Sequence, residues 1–281
     1  MPYILSHTSF AYLLGEKLNC FSDRDSLSLF MLGSLGPDVF FFDRIPPTPF
    51  VPNQKKIGNK LHKVPCDRLA ASLFLHAPKQ LLPYVYGFLT HIALDSTVHP
   101  YICARYSGID HTRFEGDIDA IFYERYQNAV PFASLFTKPK ELKRLDSLLV
   151  QVATDTVQEQ KPHAYARSVR KLLRMYPVLF DPRGNRFRFV HAIEHIFRKD
   201  GVVSAFLLAA PRAFFDDCMN ARHAVWYAKA FPSIPRTESV DELFAEARQF
   251  ADKLITAAKK GDTAAVCSLC ANRTMEAGPT L

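Results

Sequence analysis

One block of the chain constrains its fold more than any other, because metal-binding side chains recur at helical spacing between His91 and Glu115. His91, Asp95 and His99 are four residues apart in turn, so on an α-helix they fall within an arc of about 80° on one face. His111 and Glu115 repeat the four-residue spacing further along the chain. The block therefore predicts a metal centre, for zinc, on two adjoining helices.

The spacing also constrains the number of ions. Along one helix, His91 and His99 are separated by about 12 Å, too far to share a zinc ion whose ligand bonds are about 2 Å long. We therefore expect two or more ions with Asp95 between them, since a carboxylate has two oxygens with which to bridge. His99, His111 and Glu115 together make the set of an open catalytic zinc, with a position left for water.

Three further candidate ligands lie upstream of this block. Asp38 follows a Gly-Pro pair at a predicted turn, His62 follows a proline-rich segment, and His7 lies near the amino end. His76 is a nearby rival of His62 for the same role.

Helical periodicity dominates the chain, and no convincing alternating strand pattern or internal repeat is present. We predict an all-α fold: one multi-helix domain over residues 1–270, followed by an unstructured tail at 271–281. The metal-site helices are expected at 81–98, ending at His99-Pro100 as a helix before proline should, and at 110–126. Further helices are predicted at 142–158, 163–175, 187–197, 202–210, 212–230 and 240–258. The proline-rich segment 43–65 is expected to be a long surface loop.

The composition is that of an ordinary folded protein, with 48% hydrophobic and 22% charged residues. No apolar run reaches the roughly 18–20 residues that span a bilayer. The amino terminus shows no secretory pattern, and the six cysteines follow no framework spacing, so we expect free thiols and a cytoplasmic location. The net charge of +7 suits an anionic substrate or surface.

Three patterns outside the block have a functional and a structural interpretation. The segment His191–His195 matches the His-x-x-Glu-His pattern of some zinc proteases, but it lies on a predicted packing face and we interpret it as structural. A basic stripe at 167–174 is interpreted as a solvated face, the alternative being contact with an anionic headgroup or a nucleic-acid backbone. The single Cys267-x-x-Cys270 pair is interpreted as incidental.

In order and type, the candidate ligands resemble those of the zinc-dependent phospholipase C family, which is related to the single-strand nucleases of the P1 type. The residues that carry this resemblance are His7, Gly36-Pro37-Asp38, His62, His91, Asp95, His99-Pro100, His111 and Glu115. The resemblance implies an all-α fold that holds three zinc ions and hydrolyses phosphodiesters. It implies that the first ion is held by Asp38, His62, His91 and Asp95. The second would be held by His99, His111 and Glu115, and the third by Asp95 as a bridge together with His7.

We therefore expect a zinc-dependent phosphodiester hydrolase that uses metal-activated water and two or three zinc ions. Asp38 is expected nearest the water, as a ligand and as a proton acceptor. The expected substrate is a phosphodiester, in the first place a phospholipid headgroup, with peripheral contact at a membrane surface. A nuclease-type phosphodiesterase on the same centre and a non-catalytic metal-binding or interaction protein are the alternatives.

Overall fold

The computed structural model describes residues 4–44, 55–199, 201–210 and 212–280. Its α-helices are α1 (Ile4–Lys17), α2 (Arg24–Ser34), α3 (Lys55–Leu61), α4 (Cys66–His76), α5 (Leu82–Arg105), α6 (Gly108–Tyr126), α7 (Leu142–Val157), α8 (Ala164–Leu179), α9 (Asn185–Ile196), α10 (Val240–Lys259) and α11 (Thr263–Cys270). Short 3-10 helices lie at Gly36–Arg44, Lys79–Leu81, Phe132–Ser134 and Ser204–Phe206. Two antiparallel pairs of two-residue strands are β1 (Trp226–Tyr227) with β2 (Pro235–Arg236), and β3 (Arg273–Thr274) with β4 (Gly278–Pro279).

The all-α prediction is confirmed. The helices predicted at 110–126, 142–158, 163–175, 187–197 and 240–258 are present, with ends shifted by at most four residues. None of the described helices is long and apolar enough to cross a membrane.

Helix α5 is the central element of the fold and packs against α2 and α10. Where α2 crosses α5, a Cβ at Gly33 would lie 2.1 Å from the carbonyl oxygen of Tyr84, and one at Gly87 would lie 2.0 Å from that of Phe30. Only glycine permits so close an approach of two backbones. This crossing places the end of α2, where the Gly36 turn begins, beside the metal-binding part of α5.

The predicted end of the first metal-site helix at His99-Pro100 is wrong, because α5 continues to Arg105. Pro100 has no backbone N–H, so the carbonyl group of Ser96 lacks its usual donor in the helix. The β3–β4 hairpin packs over this position: Gly278 has a φ of +74°, and a Cβ there would lie 2.8 Å from the oxygen of Ser96. Packing by a distant segment thus accompanies the proline inside the helix.

The chain end also differs from the unstructured tail expected at 271–281, since it is described as a hairpin up to Thr280. Arg273 pairs with Pro279 across the hairpin, and Met275 between the strands is completely buried. The hairpin contacts α4 and α5. Its two-residue strands are too short to show alternation in the sequence, so only long-range packing reveals it.

Two predicted helices are wrong as well. Residues 202–210 contain the short 3-10 helix and a single β-bridge from Leu208 to Phe180. Residues 212–230 are irregular apart from β1. In the second segment, the backbone N–H groups of Phe214 and Phe215 donate to the carboxylate of Asp117 on α6. A buried carboxylate therefore takes the donors that a helix would use itself.

The predicted surface loop at 43–65 is partly helical. Helix α3 packs against the 3-10 helix that follows α2 and against α7. Its side chains Ile57 and Leu61 are buried, so this half of the segment belongs to the core. Residues 45–54, which contain most of its prolines, lie outside the described residues.

Candidate metal centre

Side chains from four parts of the chain converge beside α5, and we call them the first cluster: His7, Asp38, His62, His91 and Asp95. Nε2 of His62 lies 3.1 Å from Oδ1 of Asp38 and 3.6 Å from Oδ2 of Asp95. Nε2 of His7 lies 3.6 Å from Oδ1 of Asp95, and Nε2 of His91 lies 3.8 Å from its Oδ2. Asp95 is thus central, and its two oxygens face different histidines.

Hydrogen bonds on the far side of each ring orient two of these histidines. Nδ1 of His62 donates to the carbonyl oxygen of Gly58 over 2.7 Å, and Nδ1 of His91 donates to that of Ser34 over 3.2 Å. Both rings therefore present Nε2 to the carboxylates, the arrangement that metal-binding histidines adopt. Nε2 of His91 is buried and has no hydrogen-bond partner among the described residues, which is costly for a polar atom unless a ligand occupies that place.

The turn after α2 brings Asp38 to this cluster. Gly36 has a φ of +49°, and a Cβ there would lie 2.5 Å from Cδ2 of His91. Glycine therefore meets two demands at once, the left-handed backbone and the close approach to the imidazole ring. The 3-10 helix that begins here turns the carboxylate of Asp38 toward His62.

His7 is positioned by a carboxylate from α6. Asp119 is completely buried and accepts hydrogen bonds from the backbone N–H groups of Leu5 and Ser6 and from the Ser6 hydroxyl, at 3.0, 2.9 and 2.6 Å. It binds the first turn of α1, where backbone donors have no partner inside the helix. The ring of His7 then stacks on that of His91, with centroids 4.5 Å apart.

A second cluster lies further along α5 and on the facing side of α6: His99, Cys103, His111 and Glu115. Nε2 of His99 lies 3.4 Å from Nε2 of His111, which lies 3.1 Å from Oε1 of Glu115. Sγ of Cys103 lies 3.7 Å from Nε2 of His99. Nδ1 of His99 donates to the carbonyl oxygen of Glu276 in the β3–β4 hairpin, which leaves Nε2 to face the cluster.

Both clusters open into one cavity of about 580 Å³. From the first cluster Asp38, His62 and Asp95 line it, and the whole second cluster does so. The lining also contains three lysines and three aromatic side chains, Lys55, Lys63, Lys229, Phe41, Tyr106 and Phe206, together with Asn59, Ser107, Gly108, Thr112 and Glu276. A small molecule with an anionic group and an apolar part fits such a lining.

Burial and nearby charge act in opposite directions on the pKa values of these side chains. Burial lowers the pKa of His91 to about 4, so its ring is neutral and able to bind a metal at neutral pH. Burial raises the pKa of Asp38, but the hydrogen bond from His62 and the charges of His62 and His91 together outweigh it, so the net pKa is below the usual value. Burial likewise raises the pKa of Asp95, yet His99 and the other histidines hold it far below normal. Both carboxylates are therefore ionised, as metal ligands must be.

Two rival patterns lie elsewhere and have other partners. Nε2 of His76 lies 2.6 Å from Oδ2 of Asp155, away from the cavity lining. In the His191–His195 segment, the carboxylate of Glu194 accepts hydrogen bonds from the backbone N–H of Gly201 and from the hydroxyl of Ser204. Glu194 thus holds the following loop in place, which supports a structural role for Glu194. The predicted packing face of this segment is wrong at Ile193 and Phe197, which are exposed.

The structure brings all eight predicted ligands into the two clusters. The predicted ligands are His7, Asp38, His62, His91, Asp95, His99, His111 and Glu115. The sequence interpretation did not select Cys103, although its four-residue distance from His99 is the same signal that selected the others. Asp119 and Glu276 carry no such signal, because their partners are more than a hundred residues away.

Imidazole nitrogens and carboxylate oxygens are the donors that zinc binds in catalytic sites, and the orphaned Nε2 of His91 marks a place for such an ion. An all-helical fold with these donors around an open cavity defines a metal-dependent hydrolase.

The sequence matches the family described as zinc dependent phospholipase C over residues 2–168. Because this match covers more than half of the 281 residues, the chain belongs to the zinc-dependent phospholipase C family. It is accordingly a zinc-dependent phosphodiesterase. No curated protein and no solved structure matches the chain significantly.

Proposed function

We propose that this protein hydrolyses the phosphodiester bond of phospholipids at a centre of two or three zinc ions held by the two clusters. The observation that carries the proposal is the position of Asp95. Its Oδ1 and Oδ2 face His7 and His62 at 3.6 Å each, and His99 follows one helical turn later. The two oxygens of one carboxylate therefore face different donors within the first cluster, as those of a bridging ligand do.

Bound zinc supplies Lewis acidity, which lowers the pKa of water to about 7 and neutralises charge on a phosphoryl group. The side chains of the protein supply position and proton transfer. Asp38 faces the cavity as an ionised carboxylate, so it accepts a proton from the attacking water. Asp38 is the catalytic residue in this proposal, and it is also a ligand in the first cluster.

The cavity lining supports a phospholipid as the substrate. Lys55 and Lys229 place positive charge on the lining, which favours a phosphate-bearing headgroup, while the third lysine, Lys63, lies 3.6 Å from the carboxylate of Glu276. Phe41 stacks on His62, with ring centroids 5.7 Å apart, and Phe206 lies on the lining of the same cavity. These rings provide an apolar wall for the glycerol and acyl part.

An exposed apolar surface lies beside the cavity, and we call it the α9 patch: Phe189, Ile193, Ile196, Phe197, Val202 and Val203. Phe189, Ile196 and Phe197 are 68%, 76% and 68% exposed. Val202 and Val203 directly precede the 3-10 helix that carries Phe206 to the cavity wall. Exposed large apolar side chains in such number mark a binding surface.

Positive charge surrounds the α9 patch. Arg188, Arg198 and Lys199 are exposed on the same helix and on the segment that follows it. An apolar surface with a basic border suits the interface of an anionic membrane. Contact there would bring the cavity to its lipid substrate.

The test is a comparison of the zinc-loaded protein with its Asp95→Asn variant on phosphatidylcholine, single-stranded DNA and a small aryl phosphodiester. We expect hydrolysis of phosphatidylcholine and of the aryl ester, reduced in the variant by about 100-fold or more, since even outer partners of ligands cost up to about that much. Asp146→Asn is the matched control, because Asp146 is also buried and accepts backbone hydrogen bonds from His163 and Ala166, but does not line the cavity.

Hydrolysis of DNA without hydrolysis of phosphatidylcholine would replace this proposal with the nuclease function. A zinc-loaded protein that cleaves none of the three substrates would favour a non-catalytic metal-binding protein.

A further inference from the structure

The second cluster contains one metal-binding side chain, Cys103, beyond the predicted ligands His99, His111 and Glu115. His99 and Cys103 are one turn apart on α5, and His111 and Glu115 are one turn apart on α6. The two pairs face each other, and donor atoms of His99, Cys103 and His111 all lie within 4.8 Å of one another. Three donors from two helices therefore lie around one point, and Glu115 adjoins them through His111.

The distance between the two histidines agrees with a shared tetrahedral ion. With zinc–nitrogen bonds of about 2.05 Å, tetrahedral angles place two nitrogens about 3.3 Å apart. The Nε2 atoms of His99 and His111 are 3.4 Å apart, which agrees with that value to within about 0.1 Å. Sγ of Cys103 lies 3.7 Å from both ring nitrogens of His99, so a rotation about the Cα–Cβ bond of Cys103 would bring the sulfur to the ion.

The setting of Cys103 also differs from that of the core cysteines. Cys20, Cys66, Cys218 and Cys270 are buried, and burial raises the pKa of each of these thiols. Cys103 is only half-buried and lies on the wall of the cavity beside two imidazoles. A metal ion in the cavity can therefore reach this thiol, unlike the four in the core.

We propose that Cys103 is a ligand, as a thiolate, of the metal ion held by His99, His111 and Glu115. The proposal rests on the zinc-dependent function of the preceding section and adds a donor to it. Four protein donors have the composition of a closed tetrahedral site rather than an open one. The attacking water then belongs to the first cluster, where Asp38 faces the cavity.

Cobalt substitution tests this directly, because a thiolate bound to Co²⁺ produces an intense charge-transfer band in the near ultraviolet that nitrogen and oxygen ligands do not. We expect the band in the full-length protein loaded with Co²⁺ and its loss in Cys103→Ser. Cys267→Ser is the matched control, since Cys267 is also half-buried but lies on α11 away from both clusters, and it should keep the band. Absence of the band in the unchanged protein, or its persistence in Cys103→Ser, would overturn the proposal.

The zinc affinity of Cys103→Ser shows whether Cys103 is a metal ligand or only a hydrogen-bond partner of His99. A serine hydroxyl can still donate to His99, so zinc binding at the second cluster would be unchanged in Cys103→Ser if the thiol only hydrogen-bonds. A lost ligand should instead weaken zinc binding in chelator competition by about tenfold or more, the lower limit for loss of an outer partner. Cys103→His should restore zinc affinity without restoring the cobalt band. These readouts need no substrate, so they stand apart from any failure of phospholipid hydrolysis.

Discussion

The carbonyl oxygen of Glu276 lies 3.3 Å from Nδ1 of His99, which joins the end of the chain to the second cluster. The backbone N–H of the same residue donates to the carbonyl oxygen of His62 over 3.1 Å. One residue of the β3–β4 hairpin therefore contacts a candidate ligand of each cluster. A metal-binding histidine is oriented by the hydrogen bond of the ring nitrogen that does not bind the metal. We therefore expect this hairpin to affect metal binding, although it contributes no candidate ligand itself.

Gly278→Ala tests that role of the hairpin. A Cβ at Gly278 would lie 2.7 Å from Cγ of Pro100 and 2.8 Å from the oxygen of Ser96, so the hairpin must shift away from α5. We expect zinc affinity, measured by chelator competition, to fall by about 10-fold or more, as when an outer partner of a ligand is lost.

Gly261→Ala is a matched control for this variant. Gly261 has the same φ of +74°, but a Cβ there would meet no atom within 4 Å. It should therefore cost stability through backbone strain alone and leave zinc affinity unchanged. Equal zinc affinity in the two alanine variants would show that the hairpin does not orient His99.

The candidate ligands could be found in the sequence because most of them are local pairs on helices. His91, Asp95, His99, His111 and Glu115 follow a four-residue rule that needs no knowledge of tertiary structure. The residues that orient them could not be found in this way. Glu276 reaches His99 across 177 positions, and no local pattern predicts a contact of that separation.

The wrong helix boundaries have the same origin. A proline normally ends a helix, yet α5 passes through Pro100 where the hairpin packs on it. The apolar run near 202–210 has the composition of a helix, but Arg212 donates to the carbonyl oxygens of Ser204 and Ala205. Packing of the hairpin at the first place and hydrogen bonds from Arg212 at the second accompany the departures from local preference.

The α9 patch gives a prediction for membrane binding. Replacing Phe189, Ile196 and Phe197 by serine removes three exposed apolar side chains and leaves the core intact. Binding to vesicles that contain phosphatidylserine, measured by sedimentation, should weaken by about 10-fold or more, which corresponds to about 1.4 kcal/mol.

Leu75→Ser is the control for the patch, since Leu75 is 75% exposed on α4 and does not line the cavity. Hydrolysis of a soluble aryl phosphodiester should be unchanged in both variants. Vesicle binding that is as strong in the triple variant as in the control would rule out this surface as the membrane contact.

Asp119 gives a prediction for the pH dependence of stability. Burial raises the pKa of this carboxyl from 3.8 to about 6, so the folded state favours the protonated form. Its contribution to stability is complete below about pH 4 and is lost as the pH rises through about 6, by up to about 3 kcal/mol. Asp119→Asn cannot titrate, so it should gain stability relative to the unchanged protein between pH 4 and pH 7.

Urea unfolding of both proteins in EDTA measures this difference without a contribution from bound metal. All other groups titrate equally in the two proteins and cancel. A difference in unfolding free energy that stays constant from pH 4 to pH 7 would show that Asp119 keeps an ordinary pKa.

The ratio of zinc to protein tests the central claim most directly. His91 and His99 lie on one face of α5 but belong to two clusters, and each cluster has donors enough for its own ion. Elemental analysis of the purified protein, dialysed against metal-free buffer after zinc loading, should give about two zinc ions per chain or more. Asp95→Asn should lower that ratio, because it alters the central carboxylate of the first cluster. A ratio of one zinc ion per chain or less in the unchanged protein would contradict a metal centre built from both clusters.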